Sequence, residues 1–303
     1  MDRARSFPAE YQDRSTYNPL FPLFIYYDLL RPSGSVGLHW HDEIELVSVL
    51  RGHVDLLYES QVIQLRKNDI AFINSSRIHG YHASDDSDVI PLVRPILINP
   101  SLLSSNGYDI VQNKYISPLL TGELNLPTVL PADDPATVSI RKLLDRIADM
   151  FSEGAYGHEI QIKACLYDLL FQLLLPSKGN WTECSVASER NKVDSERFKQ
   201  VLTFIYGHFN EKIRIRDMAD FMHMSEGHFS RYFKRMTQKT PIEYINEYKI
   251  SEAAKLLRET DKKEIEIALD LGFDNFSYFI SIFKRVVHCT PSQYRKNEQL
   301  QVQ

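Results

Sequence analysis

"FKRMTQKTPIEY" at residues 233–244 is followed by "FKRVVHCTPSQY" at residues 283–294. Both stretches place Phe-Lys-Arg, then Thr-Pro, then Tyr at identical internal spacing. A sequence that repeats itself at a fixed period indicates that one supersecondary unit is used more than once. A simple helical bundle has no reason to repeat these polar residues, because apolar spacing alone buries its helices. The repeat therefore predicts two copies of one helical unit in the last third of the chain.

Two helices and a turn are predicted before each Phe-Lys-Arg. In the first copy the turn contains His223, and Ser225 is the predicted N-cap of the second helix. In the second copy Gly272 is the turn residue, and Asp274 is the predicted N-cap. Two helices joined by so short a turn make a helix-turn-helix. We therefore predict two helix-turn-helix units.

A single long helix is predicted between the two copies. The segment "PIEYINEYKISEAAKLLRE" begins at Pro241. Its roughly 18 helical residues span about 27 Å, at about 1.5 Å per residue. Such a rod can hold two recognition helices about one turn of DNA apart, roughly 34 Å, on one face of the duplex. The predicted partner is therefore double-stranded DNA, read in two successive major grooves.

The second copy, "IEIALDLGFDNFSYFISIFKRVVHCTPSQYR", resembles the signature of the AraC/XylS family of bacterial transcription regulators. The resemblance extends over residues 195–296 and departs from the family pattern at Cys289, where family members usually have Gly. It implies a ligand-responsive, sequence-specific DNA-binding regulator of transcription. The implied partners are promoter DNA, RNA polymerase, a second copy of the chain, and a small-molecule effector such as a carbohydrate or another small metabolite.

The resemblance also implies which side chains meet the bases. In the first recognition helix, Gly227, Ser230 and Arg231 fall where family members touch bases, and Arg231 suits a bidentate bond to a guanine edge. In the second recognition helix the corresponding positions hold apolar and small residues, which are Phe276, Ser277, Ile280 and Ser281. Such residues touch thymine methyl groups but make no bidentate bond, so the second unit is expected to read sequence more weakly. The alternative is that Phe276 and Ile280 pack inward.

Phosphate contacts are expected from the basic residues of the two Phe-Lys-Arg motifs, which are Lys234, Arg235, Lys284 and Arg285. Such side chains neutralise phosphate groups in protein–DNA complexes. A solvated charged face explains Arg235, Lys284 and Arg285 equally well. The net charge of -5 does not decide between these interpretations, because only a clearly basic domain indicates nucleic-acid binding by charge alone.

Short β-rich runs occupy the chain from Leu20 to about Asn99, with Gly, Asn, Ser and charged residues between them. Several short strands at near-regular spacing predict a sandwich or a barrel. A barrel of this size can enclose one small ligand. Beside a DNA-binding unit, its predicted role is that of a sensor.

Two motifs in this region carry polar residues that suit ligand binding. "HWHDEIELVSVLRG" contains His39, His41 and Glu45, and "DIAFINSSRIHGYH" adds His79. On one strand, the first three would point to the same face, because side chains alternate with period two. The motifs resemble those of a cupin barrel, in which three His and one Glu bind a divalent metal; iron, manganese, nickel and zinc suit such ligands. The alternative is that the four residues line a small-molecule pocket and that no cofactor is required.

Two helices are predicted after the strands. "DDPATVSIRKLLDRIADMF" has Asp134 as N-cap and Pro135 at the first helical position, followed by apolar residues at helical spacing. "EIQIKACLYDLLFQLLL" is apolar on more than one face, which a helix tolerates only when both sides are covered. One cover is the barrel, and the other is predicted to be a second copy in a homodimer.

Composition limits the remaining choices. The 303 residues are enough for about two domains, and 43% hydrophobic content allows both to bury a core. The three cysteines lie outside any CxxC motif and predict neither a disulfide framework nor a cysteine zinc site. No apolar run approaches the roughly 20 residues of a membrane span, and no signal peptide is evident, so a cytoplasmic protein without a membrane partner is expected.

The sequence thus predicts an α+β protein of two domains that regulates transcription and is not an enzyme. Its alternative function is that of a metal-dependent cupin enzyme carrying a DNA-binding module. The predicted parts are a cupin-like ligand-sensing β-barrel over residues 1–134, a helical dimerisation segment packed on it over 135–175, a linker over 176–194, and a DNA-binding domain with two helix-turn-helix motifs over 195–303.

Overall fold

The computed structural model describes residues 18–30, 35–105, 107, 109–124, 126–175 and 189–301. The strands are β1 (Leu23–Ile25), β2 (Asp28–Leu29), β3 (Ser35–His39), β4 (Ile44–Arg51), β5 (Val54–Tyr58), β6 (Gln61–Leu65), β7 (Ile70–Ile73), β8 (His79–Ala83), β9 (Leu92–Ile98) and β10 (Val129–Leu130). The helices are α1 (Ser117–Thr121), α2 (Pro135–Glu153), α3 (His158–Leu174), α4 (Glu189–His208), α5 (Ile215–Phe221), α6 (Glu226–Thr237), α7 (Pro241–Glu259), α8 (Glu264–Asp270), α9 (Phe276–Val287) and α10 (Pro291–Gln301). Across these ranges no helix has the length and apolar character needed to cross a membrane. The α+β prediction is confirmed: a β domain, up to residue 175, precedes an all-helical domain, the predicted DNA-binding domain, that begins at residue 189.

The ten described strands form two antiparallel sheets. One sheet has the order β1-β9-β4-β7-β10, with β2 also paired to β9, and the other has the order β3-β8-β5-β6. Their facing sides bury Val47, Val49, Leu56 and Ile73 in one apolar cluster. Among the described residues the strands thus form two facing sheets around a filled interior.

β4 explains how the β domain is layered. Val47 and Val49 face the interior between the sheets, whereas Ile44 and Leu46 face α2 and α3 on the other side. A strand covered on both faces lacks the alternation of apolar and polar residues. The helix α2 begins as predicted, because the side chain of Asp134 accepts a hydrogen bond from the backbone of the first turn.

The repeated motif has the same structural role in both copies. The Thr of each Thr-Pro caps the following helix, α7 or α10, and the Pro occupies the first helical position. Phe233 packs edge-on against Tyr244, with ring centroids 5.4 Å apart, and Phe283 packs against Tyr294 at 5.8 Å. The repeat therefore fixes each recognition helix, α6 or α9, to the helix that follows it.

The cap of α9 differs from the prediction. Ser225 caps α6 as expected, but the cap of α9 is Asn275, whose side chain accepts from the backbone N–H of Tyr278 at 2.9 Å. The prediction of Asp274 is wrong because the second turn, from residue 271 to residue 275, is one residue longer than the first, from 222 to 225. Asp274 instead pairs with Lys212 at 3.0 Å.

The boundary of the predicted linker also differs. Residues 176–188 lie outside the described residues, and α4 begins at Glu189, so residues 189–194 are helical. Their sequence, "ERNKVD", mixes good and poor helix formers and has no apolar period by which the start of the helix could be recognised.

The helix α7 belongs to two apolar cores. Tyr244 and Ile245 in its first half pack with the first helix-turn-helix unit. Ile250, Ala253 and Leu257 in its second half pack with the second unit. The long helix is thus the shared support of the two units, as predicted.

Candidate functional site

The first recognition helix, α6, presents one polar face to solvent. Phe229 and Phe233 are fully buried on the opposite face. Gly227 and Arg231 are exposed, and Ser230 is half-buried beside them. Residues three and four positions apart lie on one helix face. The three predicted base-reading positions of the first unit are therefore close together and accessible.

The second recognition helix, α9, is less polar. Ser277 and Ser281 are exposed. Phe276 and Ile280 are half-buried and pack against the core of the second unit, and the ring of Phe276 stacks on Phe279 with centroids 6.0 Å apart. Part of each apolar side chain is therefore buried against the core, and only the exposed part of each is accessible to DNA.

All four basic residues of the Phe-Lys-Arg motifs are exposed: Lys234, Arg235, Lys284 and Arg285. Glu243, at the start of α7, lies near both motifs. Hydrogen bonds from Thr240, followed by the charges of Lys234 and Arg285, lower the pKa of Glu243. The charges of one basic residue from each unit thus both act on the carboxylate of Glu243.

Four polar side chains of the β domain meet between its two sheets. They are His39 at the end of β3, His41 in the connection to β4, Glu45 in β4, and His79 at the start of β8. One ligand atom of each lies within 4.8 Å of the others, and none of the four residues is more than 2% exposed. The structure thus brings the predicted set together, and it is called the histidine cluster below.

The route by which the histidine cluster forms differs from the prediction. His39, His41 and Glu45 were expected on one strand, and this is wrong. The chain leaves one sheet after His39 and enters the other at Ile44, because β3 and β4 belong to different sheets. The turn between these strands, and not strand alternation, aims the side chains at one point.

Backbone carbonyl groups fix the proton positions on the three imidazoles. Each Nδ1 lies 2.9 to 3.1 Å from a backbone carbonyl oxygen. A carbonyl oxygen only accepts, so each Nδ1 donates and each Nε2 remains for another partner. Nε2 of His41 and Nε2 of His79 lie 3.0 and 2.8 Å from the same atom, Oε2 of Glu45. Histidines that bind metals usually have their other ring nitrogen held in this way.

Burial and proximity set the charges in the cluster. Burial, followed by the charges of His79 and His41, lowers the pKa of His39, so this imidazole is neutral. Burial alone would raise the pKa of Glu45, but His79 and hydrogen bonds from both neighbouring imidazoles hold it well below its usual range. The carboxylate is therefore negative. Its second oxygen, Oε1, is buried and makes no hydrogen bond to the described residues.

A β-bulge decides which side chain of β3 faces the cluster. The register with β8 shifts between Val36 and His39. Val36 and His39 face the interior, and Leu38 faces the other side. A Cβ atom at Gly80 would lie 2.7 Å from the carbonyl oxygen of Val36, so the bulge requires glycine opposite it. A regular strand would turn Val36 and Leu38 to the same side.

The outer face of β3 and β8 contacts the DNA-binding domain. Leu38 and Ile78, each the residue before a cluster histidine, belong to one apolar cluster with Phe198 and Leu202 of α4. Both sides of this contact are buried. The histidine cluster therefore lies on the inner side of the same chain segments whose outer side contacts the other domain.

A tyrosine completes this contact. The hydroxyl of Tyr206 in α4 donates to the carbonyl oxygen of Leu38 and lies 2.7 Å from the hydroxyl of Tyr244 in α7. Burial, followed by the neighbouring Tyr244, raises the pKa of Tyr206, so the hydroxyl keeps its proton. The sequence offered no signal for this pair, because the partners are 168 residues apart.

Comparison with known proteins matches both parts of the chain. A family described as an AraC-like ligand binding domain matches residues 24–170, and a family described as a helix-turn-helix domain matches residues 218–297. The chain is 30% identical to an uncharacterized HTH-type transcriptional regulator, YdeC of Bacillus subtilis, over 87% of each chain. It is 25% identical to the HTH-type transcriptional activator RhaS of Klebsiella pneumoniae, over 88% of this chain and 89% of RhaS.

A solved structure also aligns with most of the chain. It is ToxT from Vibrio cholerae with a bound unsaturated fatty acid, which is 13% identical, with a TM-score of 0.43, over 90% of this chain and 94% of that chain.

Proposed function

Since this chain belongs to the AraC family of DNA-binding transcription regulators, we propose that its two helix-turn-helix units read adjacent major grooves of one promoter and that its β domain responds to a divalent metal ion. The observation that carries the first part is the repeated support of α6 and α9 on one helix, α7. The observation that carries the second part is the buried histidine cluster.

The base contacts are divided unequally between the units. Arg231 makes the bidentate contact to guanine, with Gly227 and Ser230 beside it. Ser277 and Ser281 face the second groove and make weaker contacts, since Phe276 and Ile280 are partly used by the core. Lys234, Arg235, Lys284 and Arg285 meet phosphates. Enrichment of binding sites from a random DNA pool by the full-length protein tests this: a site with one strongly and one weakly specified half is the expected result.

The donor set supports a metal in the histidine cluster. If His41 and His79 both donate from Nε2 to Glu45, each imidazole carries two protons, and this buried charge faces Glu45 in the cluster and the buried Glu43, 3.7 Å from Nδ1 of His41. A divalent ion replaces those protons and leaves neutral imidazoles as ligands, and the ion also offers Oε1 of Glu45 a partner. Three imidazoles and one carboxylate suit zinc, manganese, iron or nickel.

The packing of the β domain favours an ion over a carbohydrate as the effector. Val47, Val49, Leu56 and Ile73 are fully buried where the sheets face each other, so apolar side chains already fill this interior. A carbohydrate needs a set of polar groups around its hydroxyls. Among the described residues, the four side chains of the histidine cluster are the buried polar group that converges on one point.

Sensing also fits the histidine cluster better than turnover does. The regulators YdeC and RhaS match this chain over most of its length. An enzyme would need a path for its substrate to the metal, but none of the four ligands is more than 2% exposed in the described arrangement. Metal analysis of the purified protein, followed by a search for oxygen consumption, separates the sensor from the cupin enzyme.

The exposed face of α3 supports a homodimer. Ile160, Tyr167, Phe171 and Leu175 form an apolar stripe along this helix and are all exposed, while its other face packs on the sheet. Contiguous exposed apolar side chains indicate an interaction surface. When two copies pack through this stripe, α3 of each copy covers the stripe of the other, which suits a self-complementary interface. The dimer acts in the cytoplasm, where it contacts promoter DNA and RNA polymerase.

A further inference from the structure

A buried lysine joins the two helix-turn-helix units at the middle of α7. Lys249 is 6% exposed. Its Nζ lies 3.4 Å from the carbonyl oxygen of Glu211, in the loop after α4, and 3.3 Å from that of Gly272, in the second turn. The same ammonium lies 5.2 Å from the ring centroid of Phe273. One side chain thus connects the first unit, α7 and the second unit.

The surroundings of this lysine explain how a charge is tolerated there. Burial lowers the pKa of Lys249, while the charge of Asp274 acts in the opposite direction. Lysine is almost never fully buried unless it is paired. Both carbonyl groups follow the C-terminal end of a helix, α4 or α8, where backbone carbonyls have no helical partner. The ammonium and the two carbonyl groups therefore satisfy each other.

The two units are in close contact at the same place. A Cβ atom at Gly272, whose φ is +70°, would lie 2.4 Å from the carbonyl oxygen of Asn210, so only glycine lets the loop after α4 approach the second turn. Asn246, another buried polar residue of α7, donates to the hydroxyl of Tyr278 in α9 at 3.0 Å. Polar contacts with defined partners thus lie between the two apolar cores.

Apolar packing alone does not set one angle between the units. The two halves of α7 serve separate cores, and hydrophobic contact is not directional. Hydrogen bonds to a buried ammonium have fixed partners, and removal of one partner is costly. The relation between α6 and α9 therefore depends on the contacts of Lys249 more than on the apolar residues around it.

We propose that Lys249 is a positioning residue that fixes the distance and angle between the recognition helices, and thereby determines which spacing of two DNA half-sites the protein accepts. The inference rests on the proposed reading of two adjacent grooves. Lys249 itself is buried and does not meet DNA. Its loss should change the tolerance for spacing and leave the dependence of affinity on salt concentration unaltered.

The test uses the full-length protein and the site that it enriches from random DNA. Two altered sites carry one base pair more or one fewer between the half-sites, which rotates one half by about 34° and shifts it by about 3.4 Å. The wild-type protein should lose about tenfold or more in affinity on each altered site. The Lys249→Met protein should lose about threefold or less on the same sites, because its units can adjust to each other.

Three controls make the result decisive. Lys255→Met removes a lysine from the same helix at a position outside the junction and should keep the full wild-type loss. Lys249→Gln, which keeps one donor, replaces the Met variant if that protein unfolds below the assay temperature, and should show an intermediate loss. Titrations at several salt concentrations should give the wild-type slope for both variants of Lys249.

The inference is overturned if a folded Lys249 variant loses as much DNA affinity as the wild type on both altered sites. This holds even if the variant binds the unaltered site more weakly or is less stable to heat. The proposed function fails separately, and the inference with it, if the wild-type protein enriches no site at all.

Discussion

The side-chain hydroxyl of Tyr206 in the DNA-binding domain donates a hydrogen bond to the backbone carbonyl of Leu38, the residue before His39 of the histidine cluster. Leu38 and His39 face opposite sides of β3, as neighbours on a strand do, and the β-bulge after Val36 puts His39 on the inner side. One short segment therefore holds a cluster side chain on its inner face and the DNA-binding domain on its outer face. A ligand that moves His39 acts directly on the contact between domains.

Removal of the Tyr206 hydroxyl tests this connection. In Tyr206→Phe the ring remains, but the hydrogen bond, which contributes about 0.5 to 1.5 kcal/mol, is lost. We expect the ratio between DNA affinities with and without metal to move toward one by up to about twelvefold, because that bond carries coupling free energy. Fluorescence anisotropy with metal-loaded and chelator-treated protein measures the ratio. Tyr248→Phe changes a ring that packs on Tyr206 inside the same domain and should leave the ratio as in the wild type.

Metal binding to the histidine cluster is tested by two histidines of the same strand. His79 lies in the cluster, whereas His82 is exposed on β8. Purified wild-type protein and His82→Ala should retain one divalent ion per chain by elemental analysis, and His79→Ala should retain none. Zinc at about 100 times its dissociation constant should stabilise the wild type by roughly 2.7 kcal/mol and leave the His79→Ala protein unchanged. Equal metal content in all three proteins would refute the site.

Two basic residues of α6 should have different effects on DNA binding. Arg231→Ala should cost about 1 to 3 kcal/mol on the enriched site and little on random DNA, because a bidentate bond to guanine is specific. Lys234→Ala should weaken binding to both DNAs and reduce the salt slope by about one unit. Titrations at several salt concentrations measure both effects. An equal loss on both DNAs for Arg231→Ala would show that Arg231 meets phosphate.

The stripe on α3 predicts the effect of a single charge on assembly. Phe171 lies at the centre of this stripe, and its side chain is 57% exposed. Phe171→Glu should convert a dimer to a monomer, because an unpaired charge would be buried in the interface. Sedimentation velocity measures the mass in solution. Gln161→Glu adds the same charge beside the stripe and should leave the dimer intact; dissociation of both variants, or of neither, would argue against this surface.

The sequence predicts the DNA-binding domain best where each residue has one dominant local role. The two helix-turn-helix units, the Ser225 cap and the left-handed turn residues His223 and Gly272 all follow from short-range backbone requirements, and the structure confirms them. The predicted cap of α9 was wrong because Asp274 and Asn275 are adjacent residues with similar capping preference. Only the length of the turn decides which of them caps the helix.

Contacts between distant segments could not be predicted in the same way. The histidine cluster was expected, but its position behind the contact between domains depends on a bulge that no local pattern announces. Tyr206 and Leu38 meet only because the two domains pack together. Lys249 is a further case, since a lysine in an amphipathic helix is normally assigned to solvent, whereas here the loop after α4 and the second turn enclose it.

Hydroxyl-radical footprinting of the full-length protein on its enriched site is the most direct test of the central claim, that one chain presents two readers to one side of the duplex. We predict two protected regions on the same face, about 10 base pairs apart, with the weaker protection at the half-site read by α9. Protection of a single groove, or of two regions on opposite faces, would contradict the claim.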